Sequence, residues 1–192
     1  WAMLTCIALL MTPRLARAQL APNETWYTIT TTHFNVHYSR GLEAEGRRAA
    51  VAAERAFAEL STELKPPKSK VDLVVADNVD YVNGYATVFP SNRIVVFAHP
   101  PIDAPELRNY SDWIRLVVTH ELTHVFHGDR SDGLWKLGRS IFGRHPALFP
   151  NFLLPSWVVE GLAVYYESRI TGSGRLEGSE YYMLSRAAAE AN

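Results

Sequence analysis

The feature that most constrains this sequence is a short polar motif in the middle of an apolar segment with helical character. Residues 112–128 contain His120-Glu121-Leu122-Thr123-His124, and hydrophobic residues flank this motif on both sides. In an α-helix, residues four positions apart lie one turn above each other, so both imidazoles project from one face and can hold one metal ion. The pattern H-E-x-x-H therefore predicts a metal-binding helix. The alternative is that both histidines are surface residues or hydrogen-bonded core residues.

Glu121 lies beside the two predicted ligands, close to the metal position without ligating it. From there a carboxylate can take a proton from an attacking water and pass it to a leaving group. Glu121 is therefore the candidate general base. A catalytic metal site also needs a third protein ligand and one open position.

The best candidate for the third ligand is Glu160, in the segment WVVEGLAVYYE at 157–167. This segment is otherwise apolar, so an unpaired carboxylate buried there is costly unless a cation compensates it. Gly161 and Ala163 are small, which favours a close approach to the histidine-bearing helix. Glu167 lies two turns further along the same face and can accept the second N–H of a ligating histidine. The alternative for Glu167 is a solvated carboxylate near the helix end.

Hydrophobic periodicity predicts a mixture of strands and helices along the chain, which indicates an α+β fold. Ser111 and Ser156 are predicted to be the N-caps of the histidine-bearing helix and the following glutamate-bearing helix. Strands are predicted at 26–32, 34–38, 71–76, 85–89 and 93–98. Helices are predicted at 42–64, 112–128, 134–142, 157–170 and 179–191.

Length and charge narrow the classes of protein to consider. The chain has 192 residues and a formal net charge of -1, which suits one globular domain and argues against a nucleic-acid-binding surface. No apolar run reaches the length of about 18 residues that a membrane span needs, so no retained transmembrane helix is expected.

The first residues resemble a secretory signal peptide that lacks its start. Residues 2–11 form a short apolar run, and Ala16-Arg17-Ala18 matches an A-x-A cleavage site. We therefore expect residues 1–18 to be a signal peptide and the protein to be exported to a bacterial periplasm, outer membrane or medium. The alternative is a buried N-terminal helix. Cys6 is the only cysteine and would be removed, so thiolate ligands and thiol catalysis are not expected.

The two motifs together resemble the gluzincin group of zinc peptidases, which includes thermolysin-like and aminopeptidase-N-like enzymes. HELTH followed by W-V-V-E-G-L-A-V-Y-Y-E carries this resemblance. The layout, with NGYATVFPSNRIVVFAHPP, is most similar to bacterial peptidase MA-like domains, often found before β-propeller repeats. The resemblance covers about residues 31–189, although only the two helices are specific. It implies an α+β, zincin-like domain at 19–192, with a small mixed or antiparallel sheet packed on the zinc-binding helix and the following glutamate-bearing helix. It also implies further domains beyond this one, such as a C-terminal β-propeller.

The resemblance also implies a ligand set and a substrate site. One Zn²⁺ per chain would be held by His120, His124 and Glu160. An edge strand would pair with extended substrate, and the candidate strand comprises Arg93, Ile94, Val95, Val96 and Phe97, with 84–87 as its hairpin partner. A plain interior hairpin is the alternative. The G-x-M-E-N motif of the aminopeptidases is absent, and the spacing from His124 to Glu160 exceeds that of thermolysin-like enzymes.

No residue matches the oxyanion-stabilising histidine or tyrosine of those relatives. Tyr181 and Tyr182 follow the ligand helix, as a tyrosine donor would. Other possible donors are Tyr165, Tyr166, His127 and His145. His127 is better explained as a surface histidine favoured by the helix dipole.

The sequence thus supports a zinc-dependent endopeptidase-like hydrolase acting on peptide or protein substrates. The alternative function is a catalytically weak or inactive zinc-containing module that binds peptides or docks a partner. A purely structural zinc site is disfavoured, because such sites fill all four positions with protein ligands, often cysteines.

Overall fold

The computed structural model describes residues 24–77, 84–101, 104 and 107–191. The predicted signal peptide at 1–18 lies outside the described residues. The fold is α+β, as predicted, and the sheet is mixed. None of the described helices is long and apolar enough to cross a membrane.

Within the described residues, five strands form a single sheet in the order β1-β2-β3-β5-β4. The outer pairs β1–β2 and β4–β5 are antiparallel, whereas β3 lies parallel to both β2 and β5. The central position of β3 explains its nearly continuous apolar sequence VDLVVA, because both faces of a central strand are covered. The strands are β1 (Trp26–Thr30), β2 (Phe34–Ser39), β3 (Val71–Ala76), β4 (Gly84–Thr87) and β5 (Arg93–Phe97).

Five α-helices lie in the described part of the chain, and the first two pack on one face of the sheet. Phe57 of the first helix meets Phe126 of the second edge-to-face, with ring centroids 5.1 Å apart, at the centre of this layer. The helices are α1 (Glu43–Leu60), α2 (Trp113–Gly128), α3 (Gly133–Phe142), α4 (Ser156–Thr171) and α5 (Ser179–Glu190). Helix α1 ends before the predicted residue 64, and residues 61–63 form a turn.

The predictions of both N-caps were wrong by one residue. Asp112 rather than Ser111 caps α2, because its carboxylate accepts a hydrogen bond from the backbone N–H of Arg115. Ser156 is the first residue of α4 itself, and Pro155 occupies the cap position without a side-chain hydrogen bond. A carboxylate is as good a helix cap as a hydroxyl, so the sequence did not distinguish the neighbours Ser111 and Asp112.

Two hydrogen bonds fix the start of α2 between the sheet and α4. The indole Nε1 of Trp113 donates to the carbonyl of Phe97 at 2.9 Å, which ties the helix to the end of β5. The guanidinium of Arg115 donates to the carbonyl of Ile170 at 2.7 Å, near the end of α4. Helix α2 is therefore fixed to the sheet on one side and to α4 on the other. Helix α4 packs against the side chains in the middle of α2.

Candidate metal centre

His120 and His124 lie on one face of α2, as the spacing predicts. Their Nε2 atoms are 3.1 Å apart, and both point toward the start of α4. His120 is buried, and the side chain of His124 is 16% exposed. Almost every residue of α2 is buried, so apolar packing on either side of the two histidines fixes the position of the helix.

Glu160 completes a group of three possible ligands. One carboxylate oxygen lies 3.4 Å from Nε2 of His120, and the other lies 3.7 Å from Nε2 of His124. A tetrahedral ion with bonds of about 2.0–2.2 Å separates its ligand atoms by about 3.3–3.6 Å, close to the distances found here. The ligand atoms of His120, His124 and Glu160 all lie within 4.8 Å of one another and could hold a metal ion.

The expectation that Glu160 is buried was wrong. Its side chain is 57% exposed, because the first half of α4 borders an open cavity rather than the core. The expectation that Gly161 and Ala163 allow a close approach of α4 to α2 is consistent with the structure at only one of these two residues. Ala163 is completely buried, whereas a side chain at Gly161 would meet nothing within 4 Å.

The carboxylate of Glu167 is completely buried, and the alternative of a solvated residue near the helix end was wrong. One of its oxygens lies 2.7 Å from Nδ1 of His120. The other accepts the backbone N–H of Arg175 at 3.2 Å and lies 3.8 Å from the Nε of the same residue. With Nδ1–H donated to Glu167, the Nε2 lone pair of a neutral His120 faces His124 and Glu160.

A glycine-rich turn after α4 makes the contact to Glu167 possible. Gly172 and Gly174 both have positive φ angles, a conformation that glycine adopts without strain. A Cβ at Gly174 would lie 2.9 Å from Oγ of Ser168 and 3.2 Å from Glu167. The backbone N–H of Gly174 also donates to the carbonyl of Asn109. The turn is thereby pressed against Glu167 and presents the N–H of Arg175 to it.

Glu121 is buried beside the ligand group and packs against the edge of the sheet. A Cβ at Gly84 of β4 would lie 2.8 Å from Cγ and 2.9 Å from Oε1 of Glu121, so the strand and the carboxylate are in close contact. Burial raises the pKa of Glu121 to about 7, although the charge of His120 lowers it. A carboxylate with this pKa can accept and release a proton near neutral pH.

The pKa values of the ligand group reflect its crowding. Burial alone would lower the pKa of His120, but the carboxylates of Glu160 and Glu167 raise it to about 9. Burial and the neighbouring charge of His120 lower the pKa of His124 to about 4. The hydrogen bond with His120 lowers the pKa of Glu160. In the absence of a metal ion, the two carboxylates therefore favour the protonated form of His120.

An open cavity of about 280 Å³ lies in front of this group. Strand β4 forms one wall, and the start of α4 forms the opposite wall. The prediction that Arg93–Phe97 is the edge strand was wrong. This strand, β5, is interior, because it pairs with β3 on one side and β4 on the other, and β4 is the last strand in the described sheet.

Of the tyrosines proposed as electrophiles, Tyr165, Tyr166 and Tyr182 are not among the described residues that line the cavity. Tyr182 is 71% exposed on α5. Tyr166 directs its hydroxyl to Glu63 at 3.3 Å, and the hydroxyl of Tyr165 accepts from Arg169. Tyr181 also falls in α5, but its side chain lies outside the described part of the structure. Of the histidines considered, His127 lines the cavity, and His145 instead caps a short 3₁₀ helix.

Arg175 is a cavity residue that the sequence analysis missed. It lies eight residues after Glu167, on the 3₁₀ turn Arg175–Glu177. The only sequence signal is its place directly after the turn Gly172-Ser173-Gly174 that follows the ligand helix. Such a turn predicts a chain reversal, but not the side chain that returns to the site.

Comparison with known proteins gives no assignment for this centre, so its metal-binding capacity is inferred from its geometry. No known family model matches the chain, and no curated protein is detectably similar to it. The structure itself establishes that His120, His124 and Glu160 form a group able to bind a metal ion.

Proposed function

We propose that this protein is an exported zinc-dependent peptide hydrolase of the gluzincin type, with one zinc ion per chain. The observation that carries the proposal is the position of Glu121, buried next to three converging ligand side chains at the floor of an open cavity. A site that only stabilised the fold would not need a buried carboxylate with a pKa near 7 beside its ligands.

The donor set favours zinc over the other common metals. Two imidazole nitrogens and one carboxylate oxygen, with an open fourth position, form the usual arrangement of a catalytic zinc site. Magnesium and calcium prefer six or more oxygen ligands, which this group does not offer. The contact between Glu167 and Nδ1 of His120 is the second interaction that commonly orients a ligating histidine.

The chain supplies the groups that move the proton. When bound, zinc polarises the substrate carbonyl and makes water more acidic. Glu121 takes a proton from the attacking water and delivers it to the nitrogen of the leaving amine. Glu167 keeps His120 in the tautomer that turns Nε2 toward the centre. The packing of Gly84 against Glu121 limits the positions that the carboxylate can adopt.

Strand β4 is the proposed binding surface for an extended peptide. It is the outermost strand of the described sheet, it borders the cavity, and it contacts Glu121 through Gly84. A peptide added to this edge would gain main-chain hydrogen bonds that depend little on its side chains. This supports endopeptidase-like cleavage of varied peptide or protein substrates.

Metal analysis and one conservative substitution test the proposal. Purified protein is expected to contain about one zinc per chain and to hydrolyse casein or an internally quenched peptide. Glu121→Gln is expected to retain the zinc and to lose hydrolysis, because glutamine has nearly the same shape but cannot accept the proton. Arg55→Met, at an exposed ion pair on α1, is the control and should match the wild type.

The alternative function gives a different result in the same experiment. A peptide-binding or docking module would hold zinc and peptide, but the wild type and Glu121→Gln would show the same negligible turnover. That outcome would overturn the hydrolase proposal. A second check is the effect of a chelator, which should abolish turnover, with added zinc restoring it.

A further inference from the structure

Arg175 lies where a substrate oxygen would meet the protein. Its side chain is 18% exposed, and it lines the cavity together with His120, Glu121 and Glu160. Among the described residues that line this cavity, it is the only lysine or arginine. A charged arginine this close to the reacting groups is costly to desolvate unless it has a partner.

The contacts of Arg175 leave the outer end of its guanidinium available. The backbone N–H and Nε face Glu167, which fixes the residue at its inner end. Within the described residues, the polar side-chain contact of Arg175 is made through Nε rather than through Nη1 or Nη2. Because Arg175 lines the cavity, its outer guanidinium nitrogens are placed to meet a substrate there.

The positive charge of Arg175 also acts on the reacting groups. The side chain of Arg175 lines the same cavity as Glu121, His124 and Glu160. Arg175 therefore places positive potential where negative charge develops during hydrolysis. Among the described residues, Tyr165, Tyr166 and Tyr182 do not line the cavity.

We infer that Arg175 is the electrophilic residue of this site and donates hydrogen bonds from Nη to the oxygen of the scissile carbonyl. This inference rests on the proposed hydrolase function. As the water oxygen bonds to the carbonyl carbon, the π electron pair of the C=O bond moves onto the carbonyl oxygen. The guanidinium stabilises the negative charge on this carbonyl oxygen. The pair returns as the C–N bond breaks, and the amine leaves with the proton that Glu121 carries. Arg175 stays protonated throughout.

The kinetic test compares Arg175→Met and Arg175→Lys with the surface control Arg55→Met. Arg175→Met is expected to lower kcat by about 100- to 1,000-fold, the usual cost of removing one oxyanion donor, with KM changed by less than about 3-fold. Arg175→Lys should recover part of that loss, because it keeps the charge but not the forked geometry. Millimolar guanidinium chloride should partly restore kcat to Arg175→Met and have no such effect on Arg55→Met.

A binding measurement provides a readout that does not depend on turnover. A peptide phosphonamidate carries a tetrahedral, negatively charged group that mimics the transition state. Calorimetry on zinc-loaded protein should show about 100-fold weaker binding of this compound to Arg175→Met than to Arg55→Met. A substrate peptide, measured in a Glu121→Gln background to prevent cleavage, should bind both variants within about 3-fold.

Three outcomes would overturn the role of Arg175. Unchanged kcat in Arg175→Met would exclude it directly. A rise in KM alone, limited to peptides with a free C-terminal carboxylate, would instead assign Arg175 to substrate-carboxylate binding. Loss of zinc together with kcat, without rescue by guanidinium or lysine, would mean that Arg175 only supports Glu167. Failure of the hydrolase proposal is separate, since Glu121→Gln would then match the wild type.

Discussion

The two halves of helix α4 differ sharply in their surroundings, although each supplies a glutamate to the same histidine. In the first half, Trp157 is 76% exposed and the side chain of Glu160 is 57% exposed. In the second half, Glu167 is completely buried and Ser168 is 3% exposed. Glu160 faces Nε2 of His120, and Glu167 faces Nδ1.

Under the proposed function, this difference separates two tasks that one helix would perform. A metal ligand must remain accessible to the ion and to solvent. Glu160 lies at the cavity wall, where hydration keeps the desolvation cost of its charge small. An orienting residue must not move, so Glu167 is enclosed and both of its oxygens have partners. The contrast predicts that substitution of Glu167 mainly lowers the stability of the metal-free protein, whereas substitution of Glu160 mainly lowers the affinity for zinc.

The largest expected effect is on the stability of the metal-free protein. Glu167→Ala leaves His120 without its carboxylate and opens a buried hole, and breaking a buried charged pair in this way costs about 3–5 kcal/mol. Glu160→Ala, at an exposed position, should lower the free energy of unfolding by about 1 kcal/mol or less, because solvent screens its contact with His120. Urea denaturation of both variants in the presence of a chelator measures the difference. An equal decrease in the free energy of unfolding of the two variants would show that the two halves of α4 do not differ in their contribution to stability.

Metal affinity should show the reverse order. Glu160→Gln removes one of three ligands and should weaken zinc binding by more than about 100-fold, while the metal-free protein loses little stability. A competition titration with a chromogenic chelator measures this affinity. His124→Ala is the reference for loss of a ligand. If His124→Ala loses zinc and Glu160→Gln does not, Glu160 is not a ligand.

Glu167→Gln should have an intermediate effect on the same titration. Glutamine keeps the shape of the side chain but lacks the charge that orients His120, and such a change typically costs about 10- to 100-fold in metal affinity. We therefore expect zinc to bind more tightly to Glu167→Gln than to Glu160→Gln. The opposite order would show that the buried residue, not the exposed one, controls the metal.

A smaller effect concerns the pH dependence of the metal-free protein. Because the pKa of His120 is raised from its ordinary value to about 9 in the folded state, its protonated form contributes stability below about pH 6.5. That contribution is lost as the pH rises toward 9, by at most about 1.4 kcal/mol per pH unit. Glu121 and His124 have pKa values of about 7 and about 4, so His120 dominates this centre above pH 7.5.

Urea denaturation of the chelator-treated protein from pH 7.5 to 9 measures this slope. The wild type should become less stable over this range. Glu167→Gln and Glu160→Gln should both flatten the dependence, because each removes a carboxylate that raises the pKa of His120. A slope that neither substitution changes would assign the titration to another group.

The sequence by itself determined the features that depend on local spacing. His120 and His124 converge because they are four residues apart on one helix, and Glu121 accompanies them for the same reason. The α+β class and most strand and helix positions followed from periodicity. Seven residues is close to two helical turns, so a shared face for Glu160 and Glu167 was also predictable.

Only the tertiary structure decided which glutamate is exposed and which is enclosed. Periodicity places both on one face, but the depth of each depends on where α4 crosses α2 and where the glycine turn closes over Glu167. The order of the strands likewise put β4, rather than β5, at the edge beside Glu121. Arg175 enters the site through a chain reversal, and no local pattern specifies where a side chain arrives after one. Contacts between segments distant in sequence fix these features, because they depend on packing rather than on spacing along the chain.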